Sequence, residues 1–359
     1  TVFAPTNSAF QKLQPDVRDW ILQANACLTN TIKAHILNNV ICSSVITTRG
    51  RTLNILDDFL HLNLTVDGKV FVEGAQIVQR DIMASNGVVH IIDDVIVPQK
   101  AMGMLEIAAR EAGTARVLEL LEQAGLSKAL REMENYTLFL PTDEAIEALP
   151  EEAKASLSDK QVLEKVLKYH VVPNELGSSD LFNDQQLDTL ESGNKITVKE
   201  YSSFPFSMAT VKTVQCAPIV KTDLQSCNAK THLVSKVLLP PAGDVIDVLS
   251  QDSRFSTLMA VLKEAEIAEK LQLTGPFTFF APTNKAFEDL DAELLADLRK
   301  DKHKLAGFLA HHITHDVLCC AGMSLSSGLQ WWYKPKEMTL DPGSHVVLQR
   351  NHDNSILVD

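Results

Sequence analysis

Two periodicities take turns along this chain. In LHLNLTV (60–66) apolar residues fall at every second position with His61, Asn63 and Thr65 between them, the pattern of a half-buried strand. In ARVLELLEQAGL (115–126) Val117, Leu120 and Leu121 recur at helical spacing, which predicts an amphipathic helix. The stretch DVRDWILQANACLTNTIKAHIL (16–37) also reads as helical, with Trp20, Ile21, Ile32, Ile36 and Leu37 expected to face inward. Strand-like runs follow it: SSVITT, RTLNIL, LHLNLTV and KVFVEGAQIV, punctuated by hairpin turns at Asp67-Gly68 and Asn86-Gly87. The succession of helix and then strands returns as DKQVLEKVLKYHVV followed by KITVKEY, MATVKTV and APIVKTD. It begins a third time with GDVIDVLSQDSRFSTLMAVLKEAEIAEKL.

One motif marks each return. TVFAPTNSAF (1–10) comes back as YTLFLPTDEAI (136–146) and FTFFAPTNKAF (277–287), with prolines at Pro5, Pro141 and Pro282. A spacing of that size is a whole domain of roughly 100–150 residues, not a solenoid unit of about 20–50. The motif has a physical logic. A β-prone apolar run ends at a proline that cannot donate to a sheet ladder. The Thr-Asn or Thr-Asp that follows offers side-chain oxygens to a helix start. Phe10, Ile146 and Phe287 then lead a helix face, with Leu13, Leu149 and Leu290 three residues on, and this face is expected against the sheet. The reading is an α+β chain of three tandem copies at 1–98, 99–241 and 242–359, the first expected to be cut short at its start and the last at its end.

Composition narrows the function classes. A formal charge of −13 opposes nucleic-acid or polybasic membrane contact. No run reaches the roughly 18 apolar residues of a membrane span, so contact with a membrane is expected only through receptors or an anchor outside these residues. Six cysteines show no zinc-type spacing, and Cys216 with Cys227, in one copy's strand region, is one local disulfide the sequence permits. Asn63-Leu64-Thr65 and Asn135-Tyr136-Thr137 are glycosylation acceptors in a secreted protein. Cysteines and sequons together lean towards an extracellular setting.

The pair TVFAPTNSAF and ASNGVVHIIDDVIVP, in that order, resembles the two marker boxes of the fasciclin domain family, and the resemblance runs over essentially the whole chain. Copy two departs in its second box, CNAKTHLVSKVLLPP, where Asn-Gly is lost and His232 remains. The resemblance implies a β-sandwich wedge with helices packed on one side. It also implies a secreted or cell-surface matrix protein acting in adhesion, with integrins, collagen and other matrix proteins as partners and homo-oligomers open. Fasciclin-bearing scavenger receptors are the alternative of the same family. A hydrolytic or metal enzyme is the alternative of another class.

Site candidates follow from the resemblance and compete with structural roles. Tyr169-His170 and Asp81-Ile82-Met83 match segments linked to integrin adhesion in the family. A histidine closing an amphipathic helix equally serves carbonyls of its last turn, and an aspartate at a strand end equally caps a turn. His35, His90, His232 and His312 read as structural histidines on apolar frames. The run His311, His312 and His315 has no glutamate at the zincin position, so no metal is expected. No nucleophile elbow, phosphate loop or dinucleotide fingerprint occurs, and neither catalytic residue nor cofactor is expected.

Overall fold

The computed structural model describes residues 1–321 apart from 16, 19, 20, 22–24, 203–209, 274 and 315, and beyond them only three strand segments between 336 and 358. By contacts the chain divides into two compact units: Thr1–Leu181 with Asp188–Ser192 and Val220–Val237, and Phe182–Leu187 with Gly193–Ile219 and Leu238–Asp359.

The first unit opens on a six-stranded sheet. Its strands are β1 (Val2–Pro5), β2 (Gly50–Leu53), β3 (Phe59–Leu64), β4 (Val70–Val72), β5 (Ala75–Ala84) and β6 (Gly87–Ile92), in the order β1-β6-β5-β4-β3-β2. Four antiparallel neighbours are joined by tight turns. β1 lies parallel to β6, with Phe3 beside His90. Burial alternates along β6 as the sequence pattern requires, with Val88, His90 and Ile92 inward. Phe3, Leu60, Leu62, Val70, Val72, Ile77 and Ile92 form the core below this sheet.

Copy two repeats the plan with β7 (Tyr136–Pro141), β8 (Val171–Val172), β9 (Gln186–Asp188), β10 (Lys195–Ser202), β11 (Thr210–Val214), β12 (Ala217–Gln225) and β13 (Ala229–Val234), ordered β8-β7-β13-β12-β11-β10-β9. β7 runs parallel to β13, placing Phe139 beside His232 as Phe3 stands beside His90. Each pair of rings stacks at 5.6 Å. In the second unit β14 (Thr278–Phe279) pairs with β15 (Ile313–Thr314) above a helical core of Leu258, Val261, Leu262, Phe287, Leu305 and Leu309. β16 (Lys336–Thr339), β17 (His345–Arg350) and β18 (Ile356–Val358) make a small antiparallel sheet.

The motif does what its residues demand, with one refinement. Thr6, Thr142 and Thr283 cap their own helices, each hydroxyl accepting from the N–H three residues on. The next residue serves a different helix: Asp143 accepts from Arg116 N–H, and Asn284 from Thr257 N–H. Two inward expectations fail. Phe10 is exposed where Ile146 and Phe287 are buried, because no helix among the described residues covers Phe10 as the one bearing Val117 and Leu121 covers Ile146. Ile32 is also exposed. The helix Asn25–Ala34 buries Cys27, Thr31 and Ala34, which share one face and turn Ile32 outward. Trp20 lies outside the described residues.

Candidate functional site

Threonine builds the first recurring device. Thr1, Thr137 and Thr278 each stand four residues before their motif proline. The Thr1 hydroxyl donates to Asn39 carbonyl at 2.8 Å and accepts from Ile41 N–H at 2.7 Å. Thr137 does the same with Asn174 (2.6 Å) and Leu176 (2.8 Å). Thr278 does so with Asp316 (2.7 Å) and Leu318 (2.9 Å). One side chain thereby holds the segment that leaves the preceding helix, and it fixes which residues correspond between copies. The aligned motifs carry this threonine openly; the sequence reading missed it.

Histidine supplies the second. His90 is wholly buried, with Nδ1 accepting from Asp81 N–H at 3.2 Å and Nε2 bonded to Ile41 carbonyl at 2.8 Å. His232 repeats this with Asp223 N–H (3.3 Å) and Leu176 carbonyl (3.0 Å). Since Nδ1 accepts, Nε2 carries the proton that it donates to the carbonyl, which fixes the tautomer. A second set closes helices. Nδ1 of His35, His170 and His312 bonds the carbonyl four residues back, on Thr31, Val166 and Phe308. His35 also accepts from Ile96 N–H at Nε2. Burial pushes the His35 and His312 rings below the usual histidine range and takes His170 down to about 4, against the opposing pull of the carbonyl it serves.

The Asp81 carboxylate is exposed but already engaged by its own chain. It accepts from Ser43 N–H at 2.7 Å and from the Ser43 hydroxyl. That hydroxyl, followed by the N–H, holds the carboxyl below its usual range. Asp81 sits at a positive φ of 53° where β5 bulges. Asp223 reproduces all of it in copy two: a φ of 58°, Ser178 N–H at 2.8 Å and the Ser178 hydroxyl. Sequence reasoning picked Asp81 and missed Asp223, whose neighbours Leu224 and Gln225 do not spell the same tripeptide. Beyond Asp81, Ile82 is half-buried and Met83 is 71% exposed.

Tyr169 and His170 lie elsewhere. Both are buried at the end of helix Lys160–Tyr169, and the backbone of His170 accepts from Phe139 N–H. Neither side chain reaches the surface.

The cysteines correct one expectation. Cys216 and Cys227 do not bond each other: Cys27 pairs with Cys227, and Cys216 with Cys319. Cys216 sits in the turn before β12 and Cys227 in the turn after it. Nine residues of strand hold the two turns about 30 Å apart, against a disulfide reach of about 7 Å between Cα atoms. Asn63 stands exposed on β3. Asn135 is exposed too, while Thr137 of its sequon is the buried clamp threonine. Among the described residues no three metal-ligating side chains converge; His315 is outside them. No described helix is long and apolar enough to cross a membrane.

The paired boxes, the parallel strand pair they form and the repetition of both point to one family, and comparison decides it. The fasciclin domain family matches residues 1–98, 112–240 and 253–358. The chain belongs to the fasciclin family. It is 32% identical to human Periostin over 330 residues, covering 90% of this chain and 37% of that protein. It is 30% identical to pig Transforming growth factor-beta-induced protein ig-h3 over 332 residues, or 90% of this chain and 45% of that one. Rat Stabilin-2 is 28% identical over 224 residues, 55% of this chain and 15% of its own length. The chain therefore spans less than half the length of these fasciclin relatives. Among solved structures, a FAS1 domain pair from the insect cell adhesion molecule Fasciclin I matches with a TM-score of 0.34 at 17% identity, over 68% of this chain and 87% of that one.

Proposed function

We propose that this fasciclin chain is an extracellular matrix or cell-adhesion protein that works by presenting domain surfaces to integrins, collagen and other matrix proteins rather than by catalysis. The observation that carries the reading is the exposed Met83 at the end of the Asp81 bulge in copy one. Asp81 ties β5 to Ser43, Ile82 is half-buried, and Met83, two residues past the tie, is left 71% exposed. An exposed methionine is a flexible, adaptable contact group for a protein partner.

The division of labour within Asp81-Ile82-Met83 follows. Asp81 holds the bulge, Ile82 anchors it, and Met83 makes the contact. Tyr169 and His170 support this fold from inside and contribute no contact. Met83→Lys is expected to cut attachment of integrin-bearing cells to the immobilised protein about tenfold, the share of a central apolar contact of about 1–2 kcal/mol, with an unchanged melting temperature. Wild-type attachment by this variant would refute the assignment. Tyr169→Ala with His170→Ala is expected to lower the melting temperature and attachment together, as loss of two buried groups requires. The similarity to Stabilin-2 favours endocytic uptake as a second reading, and internalisation of a labelled matrix ligand by cells displaying the chain separates it from static adhesion.

A further inference from the structure

The segment gripped by the motif threonine has a second face, and in copy three that face is occupied. Thr278 holds Asp316 and Leu318. On the other side, Lys199 of β10 places its ammonium 2.5 Å from Asp316 and 2.6 Å from Asp184. The Tyr201 hydroxyl donates to Val317 carbonyl at 3.2 Å and accepts from Cys319 N–H at 3.0 Å. Cys216, in the turn between β11 and β12, is bonded covalently to Cys319. The cysteine-bearing β11–β12 hairpin of copy two and its neighbouring strand β10 thus seat on Asp316–Cys319 of copy three, β10 through an ion pair and two hydrogen bonds and the hairpin turn through a disulfide.

Copy one carries the same segment. The threonine clamp aligns Asn39, Val40, Ile41 and Cys42 with Asp316, Val317, Leu318 and Cys319. Valine and cysteine recur at two of the three positions that meet copy two, and Asn39 replaces Asp316 at the third. Val317 is half-buried and Cys319 is buried at 1%. Val40, by contrast, is 62% exposed, and Cys42 is a half-buried free thiol. Copy two has Glu175 and Gly177 in these places, so the pairing of valine with cysteine is no general requirement of the fold.

We propose that Asn39–Cys42 is a docking edge for the cysteine-bearing β-hairpin of another fasciclin domain, closed by a disulfide to Cys42. The occupant follows from the copy-three example: a hairpin with a cysteine in its turn, as at Cys216, flanked by a strand that offers a tyrosine hydroxyl, as Tyr201 does on β10. Asn39 offers a neutral amide where Asp316 offers a carboxylate, so this edge asks for no lysine. Closure is thiol–disulfide exchange. The Cys42 thiolate attacks the hairpin cysteine's sulfur in a mixed disulfide, the new S–S bond forms, and the small thiolate leaves with the electron pair.

The test uses full chains. The donor carries Cys42→Ser, Cys319→Ser and Cys320→Ser, together with Asp316→Lys to release the hairpin from its own segment by repelling Lys199, and Cys216 is activated as the mixed disulfide with thionitrobenzoate. One acceptor chain, Cys320→Ser, offers the Cys42 thiol; the other, Cys42→Ser, offers that of Cys320. Release of thionitrobenzoate gives each rate, normalised to the same thiol's rate with Ellman's reagent. The Cys42 acceptor is expected to react about tenfold faster on this normalised scale, since docking raises the local concentration of the hairpin. Val40→Lys in the acceptor is expected to abolish that advantage. Equal normalised rates, or an advantage untouched by Val40→Lys, would overturn the proposal. A donor with Cys319→Ala replaces the first if its thermal transition is lost.

Discussion

Replacing Cys27 and Cys227 by alanine is expected to destabilise the first unit by about 5 kcal/mol, the chain-entropy value for a closed loop of this size. The bond spans 200 residues of sequence and is the longest covalent loop among the described cysteines. It joins the helix Asn25–Ala34 of copy one to the turn before β13 in copy two. The packing beneath it is modest: Ile21, Cys27, Met102 and Ile107 form a small cluster of their own. Without the bond, these few contacts must hold the helix against an unfolded state no longer pinned at two distant points. Chemical denaturation followed by far-UV circular dichroism should show a lower midpoint, with copy one melting as an earlier step. An unchanged midpoint would show that packing alone holds this end. The Cys216–Cys319 bond closes a loop of 103 residues, and its removal should cost slightly less.

Acid should act through the helix-closing histidines. The sign follows from burial, which lowers the folded-state affinity for protons. Below pH 6.5 the unfolded chain protonates His170, whereas the folded chain resists until about pH 4. The unfolded state therefore binds more protons across that window, and stability falls as pH drops from about 6.5 towards 4. For His170 alone the loss approaches about 3 kcal/mol at the lower end. His35 adds to the loss in the same direction. The carboxylates of Asp81 and Asp223 are held below the usual range, so their contribution is lost only at more acid pH. Urea titrations at pH 7, 5.5 and 4.5 would read the slope. His170→Asn retains a donor for the Val166 carbonyl but cannot titrate; it is expected to be less stable at pH 7 and to lose one proton's share of the pH dependence. A slope identical to wild type would assign the acid sensitivity elsewhere.

These two effects belong to different levels of legibility. His35, His170 and His312 close corresponding helices at nearly constant distance from the motif proline, and a histidine ending an amphipathic helix reads as a carbonyl partner. Their structural role could be inferred from local pattern. The disulfides could not. Six cysteines allow fifteen pairings, and the sheet decides among them by setting the turns at the two ends of β12 far apart. The same holds for the adhesion candidates. Tyr169-His170 and Asp81-Ile82-Met83 look alike as short segments, yet one lies at 0–1% exposure inside the fold and the other runs out to an exposed methionine.

Taken alone, the sequence determined the repetition of the copies, the marker boxes and the α+β class, though SSVITT, expected as a strand, holds a short 3-10 helix at Ser43–Val45. Each of these is written in local periodicity, in proline and threonine at fixed places, and in repetition that aligns the copies. Tertiary structure alone decided that Phe10 and Ile32 face outward, that Asp81 is spent on Ser43, that Asp223 is its twin, and that Cys216 reaches Cys319. Those facts depend on which element packs over which. That is set by contacts between residues tens to hundreds of positions apart, and no window of sequence contains them.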